Sequence, residues 1–138
     1  MPKRGGVVVR HRGALRFLPA SVVARISECP PISRVPGAPK AMLGIAYDEG
    51  EIVPVVALDD DAARAAERES RARKVLIVCR YLGEPVGIVG CEVVQTGMFD
   101  ADPSAEGAVI ARGEPARSLD LAAAFASLRG SRWTVAEG

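Results

Sequence analysis

Aromatic residues and histidine are scarce in this 138-residue chain, and the scarcity excludes several kinds of chemistry. Phe, Trp and Tyr together make up only 4% of the residues, so a buried core has to be built mainly from Val, Ile, Leu and Ala. His11 is the single histidine and lies in a basic stretch typical of a turn. Without a second histidine or a nearby nucleophile, Ser-His and Cys-His catalysis lack their parts. We therefore expect no enzymatic activity.

Cysteine is also sparse, and its spacing fits neither a zinc site nor a disulfide framework. Cys29, Cys79 and Cys91 are odd in number and widely separated, and no C-x-x-C occurs. Residues 59–61 are three consecutive aspartates after a predicted strand, for which a hydrated turn is favoured over a magnesium or phospho-acceptor site. We expect reduced thiols, no metal and no cofactor.

An excess of charge of one sign and a long apolar run are both missing. Lys plus Arg total 18 and Asp plus Glu 17, a formal net charge of +1, whereas nucleic-acid binders usually carry a marked basic excess. The apolar run at 7–9 is too short for the core of a signal peptide, and no run approaches the ~20 residues of a membrane span. We expect a soluble, cytoplasmic protein that neither binds nucleic acid nor inserts directly into a membrane.

Glycine and proline are abundant, with 14 and 10 residues respectively, which favours frequent turns over long helices. The length suits one domain, so residues 1–138 are predicted to form a single domain. Six short segments have strand character, and two pairs of them flank turns near residues 11–13 and 81–85. These segments are 7–10, 15–18, 22–26, 52–58, 75–80 and 86–94. Many short strands with turns between them predict an all-β barrel or sandwich.

Three further segments complete the prediction. Residues 59–74 are rich in Ala, Arg and Glu and fit a short exposed helix and a loop equally well. Residues 99–106 have the composition of a polar turn. Residues 122–128 form the strongest helix pattern, with Leu121, Phe125 and Leu128 on one stripe and Gly130 as the stop.

An ordered set of motifs resembles CheW-like domains, the adaptors of bacterial chemosensory arrays. Residues 32–45 (ISRVPGAPKAMLGI) lead into 50–58 (GEIVPVVAL), similar to the family's P-x-x-P segment and its central "lGxxxxRGexxPvvdL" motif. Within 74–94, the sequence VGIV followed by EV is similar to the family's "GLlvdeV" strand. The run SLDL at 118–121 is similar to its C-terminal "vLDl". The motifs cover most of the chain in the family's order and spacing.

The resemblance implies an all-β fold of two small five-stranded β-barrels packed side by side, with a groove between them and a short C-terminal helix. It also implies a non-enzymatic adaptor that links the cytoplasmic tips of chemoreceptors to the regulatory domain of a CheA-type histidine kinase. Prolines in the matched segments are expected to hold extended crossovers or leave a strand edge unpaired, and glycines are expected at bends or bulges. The expected structural residues are Pro36, Pro39, Gly44, Gly50, Pro54 and Gly87.

Departures from the family pattern point to a candidate contact site. The family's Asn-Leu-Arg is replaced by Tyr47, Asp48 and Glu49, so its arginine position carries an acid, while Arg25 follows Val23 where the family often has an acid. We hypothesise that Arg25 and Glu49 form the family's groove ion pair with exchanged signs; the alternative is two independent solvated charges. These five residues are predicted to bind a partner, with Tyr47 as the contact anchor and core packing as the alternative for Val23.

The exchanged signs predict a partner that differs from the usual one, because like charges would meet across the contact. A divergent protein that binds only one partner or serves another pathway is therefore the alternative to a full adaptor. A β-barrel that binds a small ligand is a further alternative, although few polar residues converge as such a pocket requires.

Overall fold

The computed structural model describes residues 2–38, 42–58 and 75–129, and this part of the chain contains eleven β-strands and one α-helix. The strands are β1 (Lys3–His11), β2 (Ala14–Pro19), β3 (Val23–Glu28), β4 (Ile32–Ser33), β5 (Met42–Asp48), β6 (Glu51–Ala57), β7 (Val75–Tyr81), β8 (Glu84–Val89), β9 (Glu92–Ala101), β10 (Val109–Ala111) and β11 (Glu114–Ser118), and the helix is α1 (Leu121–Arg129). Residues 59–74, for which the sequence fits a helix and a loop equally well, lie outside the described residues. Pro39 and Gly130 also lie outside them.

The described residues fall into two units, and the second interrupts the first in sequence. The first unit draws on Met1–Ala24 and Cys91–Leu119, and the second on Arg25–Gly90 and Asp120–Gly138. In the first, five strands close into a barrel in the order β1-β2-β11-β10-β9. The other strands form a six-stranded sheet in the order β3-β7-β8-β6-β5-β4.

The barrel has a small aliphatic core around one aromatic pair. Phe17 and Phe99 pack edge to face with ring centroids 6.0 Å apart, a geometry that adds to the stabilisation from burial. The guanidinium of Arg4 lies over the Phe17 ring, 5.1 Å from its centroid. The rest of this cluster is Val8, Leu15, Val109, Ala111 and Ala116. Apart from these two rings, the cluster is aliphatic, as the scarcity of aromatic residues predicted.

The six-stranded sheet has its own core, and α1 packs against it. Its buried cluster is Ala46, Val53, Val55, Leu76, Val78 and Val89. Asp120 caps α1, because its carboxylate accepts a hydrogen bond of 3.1 Å from the backbone N–H of Ala123. Phe125, fully buried, packs edge to face on Tyr81 with centroids 5.2 Å apart. The predicted helix at 122–128 is confirmed, and its buried side includes Phe125.

Four hairpins use the same two-residue turn, in which the second residue is glycine. The first turn residue has φ between 48° and 55° and the glycine has φ between 74° and 81°, the positive pair that a type I′ turn requires. The four turns are Arg12-Gly13, Glu49-Gly50, Leu82-Gly83 and Arg112-Gly113. The hairpins predicted around 11–13 and 81–85 are confirmed, whereas the other two were not predicted.

The all-β class with a short C-terminal helix is confirmed, as is a closed five-stranded barrel. The second group of strands is a sheet of six, of which β4 has two residues.

Two segment predictions need correction. The run 86–94 is broken at Gly90, which has φ 88°, so β8 joins the sheet and β9 joins the barrel. The segment 99–106 begins as strand, because β9 continues to Ala101 and Phe99 points into the barrel core. The polar turn starts only at Asp102, whose carboxylate accepts hydrogen bonds from the backbone N–H and hydroxyl of Ser104.

Candidate functional site

The hairpin of β5 and β6 places charged and apolar side chains on opposite faces of its tip. Asp48 pairs with Glu51 and Tyr47 with Ile52 in the antiparallel register. Because side chains alternate along a strand, Asp48 lies on the same face as the buried Ala46. Tyr47 and Ile52 point to the other face. One hairpin tip therefore presents two different surfaces.

Arg25, from β3, contacts three carboxylates of this hairpin. Its Nε donates a hydrogen bond of 2.7 Å to Oδ2 of Asp48 and lies 3.1 Å from Oε2 of Glu49, and its Nη1 donates to Oε1 of Glu51 at 3.1 Å. Nη2 also donates to the backbone carbonyl oxygen of Asp48 at 3.2 Å. The hydrogen bond to Asp48 is the main reason why the pKa of Arg25 is raised above its ordinary value, against the opposing effect of burial.

Glu51 extends the cluster to β7 through a bidentate contact with Arg80. Nη1 and Nη2 of Arg80 donate hydrogen bonds of 2.9 and 3.1 Å to the two oxygens of the Glu51 carboxylate. The pKa of Glu51 is held below its ordinary range, mainly by the hydrogen bonds from Arg80 and to a smaller extent by the one from Arg25. The charged cluster, defined here as Arg25, Asp48, Glu49, Glu51 and Arg80, thus joins four strands of the sheet.

The members of the charged cluster differ in how far they are exposed to solvent. The cluster also carries one surplus negative charge, because it contains three carboxylates and two guanidiniums. The side chains of Asp48 and Arg25 are only 11% and 17% exposed, whereas that of Glu49 is 68% exposed. The surplus charge is therefore presented to solvent mainly by Glu49.

The structure brings four of the five predicted contact residues to this hairpin tip and its β3 neighbour. Arg25 and Glu49 form the ion pair of the hypothesis, but Asp48 is the nearer partner of Arg25. Tyr47 lies in β5 and is exposed. Val23 is half-buried at the start of β3, and its apolar side chain takes no part in the ionic contacts. A partner-binding role for these residues stays a prediction.

The predicted structural glycines have different reasons for being glycine. A Cβ on Gly44, where φ is +152°, would lie 2.2 Å from the carbonyl oxygen of Ser33, and the β5–β6 register shifts just before it. Gly50 occupies the second position of the hairpin turn. Gly87 lies in a regular register without a bulge, and a Cβ there would meet the Leu76 side chain at 2.5 Å. At Gly87 the requirement is close packing instead of a bend.

Of the predicted structural prolines, Pro36 is placed differently from the expectation, whereas Pro54 leaves one backbone edge unpaired as expected. Pro36 is in a β-turn, closed by a hydrogen bond of 3.2 Å from Ala38 N–H to the carbonyl of Val35, so it does not hold an extended crossover. Pro54 lies in an inner strand, not an edge strand. Its pairing partner is on β5, and β6 pairs with β8 only from Val55 onward, so a proline without an N–H fits there.

The sequence interpretation missed Glu51, Arg80 and Ile52. The alternation E-I-V-P-V from 51 onward is a strand signal that, with a turn at 49–50, would have put Glu51 opposite Asp48. It would also have put Ile52 opposite Tyr47. Arg80 carries no comparable signal, because its contact with Glu51 depends on how β7 is placed in the sheet.

The side chains outside the cluster offer little chemistry. Burial raises the pKa of the Cys79 thiol to about 12, so that it stays protonated and a poor nucleophile at neutral pH. Across residues 2–38, 42–58 and 75–126, no group of three His, Cys, Asp or Glu side chains is arranged to hold a metal ion. In the same part of the chain, no helix has the length and apolar character that crossing a bilayer requires.

Comparison with known proteins agrees with this geometry. The crystal structure of the scaffolding protein TtCheW from Thermoanaerobacter tengcongensis superimposes with a TM-score of 0.67 at 19% sequence identity, over 91% of this chain and 90% of that one. A search of curated proteins gave no match. The sequence model of the CheW-like domain matches residues 5–129. Since that match spans most of the chain, the protein belongs to the CheW-like domain family.

Proposed function

We propose that this protein is a non-enzymatic adaptor that links the cytoplasmic tips of chemoreceptors to the regulatory domain of a CheA-type histidine kinase. The observation that carries the proposal is the family match over residues 5–129. The similarity in fold to a scaffolding protein over nine tenths of both chains supports it. An adaptor of this kind works in the cytoplasm, with no cofactor and without making or breaking covalent bonds.

The charged cluster supplies a rigid surface for such contacts. Arg25 donates hydrogen bonds to two carboxylates and one backbone carbonyl oxygen, so its position is fixed before a partner arrives. A preorganised charged surface adds more to the specificity and rate of association than to affinity. We expect Arg25, Tyr47, Asp48 and Glu49 to take part in partner contacts, together with Val23 at the start of the same strand as Arg25.

Co-sedimentation with purified partners tests the proposal. The chain is mixed with a soluble array-forming fragment of a chemoreceptor tip and with the regulatory domain of a CheA-type kinase, both from the same organism. We expect the kinase domain to sediment with the receptor fragment only when this chain is present. If the chain binds neither the receptor fragment nor the kinase domain, the proposal is wrong.

A second candidate is a divergent adaptor that binds only one of the two partners. The observation in its favour is Glu49, an exposed carboxylate at the position where the resemblance expects arginine. A surface of reversed sign repels a partner selected for the usual one. In the same experiment this candidate predicts binding to the receptor fragment or to the kinase domain, but no ternary assembly.

A further inference from the structure

The outer face of the β5–β6 hairpin, opposite the charged cluster, is apolar where solvent-facing strands are usually polar. Tyr47 and Ile52 are 69% and 62% exposed and lie directly opposite each other. The next cross-strand pair on this face is Ile45 with Pro54, both half-buried. We call these four residues the apolar hairpin face.

Such a face is unusual for an antiparallel pair that meets water. An antiparallel hairpin with one solvated side normally alternates apolar and polar residues, yet β5 and β6 place an aromatic and three aliphatic residues on this side. Contiguous exposed apolar groups mark contact surfaces on soluble domains. Tyr is among the residue types that contribute most to binding when buried at an interface.

Glu49 occupies the turn at the tip of the hairpin, where its two faces meet, so its charge bears on what covers the apolar hairpin face. Glu49 is two residues from Tyr47 and is the most exposed member of a cluster with one surplus negative charge. Arg25 does not depend on Glu49, because it keeps its hydrogen bonds to Asp48 and Glu51. The Glu49 carboxylate can therefore pair with a cation from a partner without leaving Arg25 unpaired.

We propose that the apolar hairpin face docks a protein partner that presents apolar side chains beside a lysine or arginine, with Tyr47 and Ile52 as anchors and Glu49 as the partner of that cation. This inference rests on the proposed adaptor function and specifies the chemistry of one of its two contacts. A second copy of this chain fits less well. An isologous contact through this face would bring two net-negative clusters together.

Binding measurements with charge and anchor variants test the proposal. The variants are Tyr47→Ser, Glu49→Gln and Glu49→Lys, and the probes are the receptor fragment and the kinase regulatory domain described above. Met98→Ser and Glu114→Lys are matched controls, because both residues are exposed and lie in the barrel unit. Thermal unfolding confirms that each variant is folded, and Glu49→Lys replaces one long, unbranched side chain with another at the turn position with φ 48°.

We expect Tyr47→Ser to weaken binding of one probe by about tenfold or more, as the loss of an interface anchor does. Glu49→Lys should weaken binding of the same probe more than Glu49→Gln does. The effect of Glu49→Lys should become smaller as the salt concentration rises, because exposed charges are screened. Both controls should stay within about twofold of the wild type.

Four results would overturn the inference. If all three variants bind every probe that the wild type binds, and bind it equally well, the inference fails while the adaptor function stands. If Glu49→Lys strengthens binding, the partner is acidic and the proposed chemistry is wrong. If the wild type forms a dimer that Tyr47→Ser abolishes, the occupant is a second copy. Binding of neither probe by the wild type would remove the adaptor function itself, and this inference with it.

Discussion

Arg25 is the side chain that contacts all three carboxylates of the charged cluster. It is 17% exposed, and its nearest partner, Asp48, is 11% exposed. In Arg25→Ala, three carboxylates are left close together and the shielded Asp48 loses its ionic partner. Loss of a hydrogen-bonded, partly buried charge partner costs about 1–3 kcal/mol. We expect Arg25→Ala to lower the free energy of unfolding by that amount, measured by urea denaturation at pH 7.

Arg80→Ala is the matched control for this prediction. Arg80 also contacts Glu51, but its side chain is 44% exposed, and exposed ion pairs contribute about 0.2–1 kcal/mol. Raising the salt concentration should reduce the effect of Arg80→Ala more than that of Arg25→Ala. Equal losses in the two variants would show that burial does not distinguish these arginines.

At the scale of residues, the sequence predicted the ion pair of the charged cluster but not all the residues that contact Arg25. The ion pair between Arg25 and Glu49 followed from two departures from the family pattern, and it is present. The closer contact with Asp48 could not be derived in this way, because it depends on which face of β5 each side chain occupies. Glu51 became recognisable only with the hairpin register, since a shift of one residue would turn it to the other face.

At the scale of elements, β1 needs glycine at position 6 but not at position 5. A Cβ on Gly6 would lie 2.2 Å from the carbonyl oxygen of Leu18 and 2.7 Å from the Phe17 ring. Both atoms belong to the barrel, where Phe17 is fully buried. Gly6→Ala therefore forces the backbone of β2 or an aromatic ring to move. We expect a loss of about 1–3 kcal/mol in the free energy of unfolding, typical of overpacking.

Gly5→Ala tests whether that loss comes from the contact or from the substitution itself. The nearest atom to a Cβ at Gly5 is Sδ of Met98, at 3.1 Å, and Met98 is an exposed, flexible side chain that can turn away. We expect Gly5→Ala to change stability by less than about 0.5 kcal/mol. A loss as large as that of Gly6→Ala would mean that the flexibility of the glycine pair matters more than the space around it.

The elements that the sequence predicted are those with β-branched runs and a recognisable turn. The hairpin of β1 and β2 is one example, with Val7 to Val9 on one arm. The strands β5 (MLGIAYD) and β11 (EPARS) were missed because neither contains a β-branched run. The run 86–94 was taken as one strand because its break at Gly90 is a change of sheet, which hydrophobicity does not report.

At the scale of the whole molecule, the two units are assembled from distant parts of the chain. In the barrel, β1 pairs with β9, so that Lys3 lies opposite Asp100. The sequence contains no local signal for this closure, and only the resemblance to a known family implied it. Closing such long loops before contacts form makes folding slow compared with helical proteins of similar size.

Acid should destabilise both units through carboxylates with lowered pKa values. Hydrogen bonds from Arg80 and Arg25 lower the pKa of Glu51 in the sheet, and the hydrogen bond from Lys3 lowers that of Asp100 in the barrel. A carboxyl group with a lower pKa in the folded state stabilises the fold above its unfolded value. That contribution is lost as the pH falls through the folded value.

We therefore expect the urea midpoint to decline once the pH drops below about 4.5, the ordinary value for glutamate. Glu51→Gln removes one titrating group, so its urea midpoint should fall less between pH 5 and pH 3 than that of the wild type. Glu114→Gln, at an exposed position of β11, is the control and should follow the wild-type curve. Parallel curves for Glu51→Gln and the wild type would mean that the contacts of Glu51 with Arg80 and Arg25 do not persist in solution, because only a carboxylate held by them loses stabilisation on protonation.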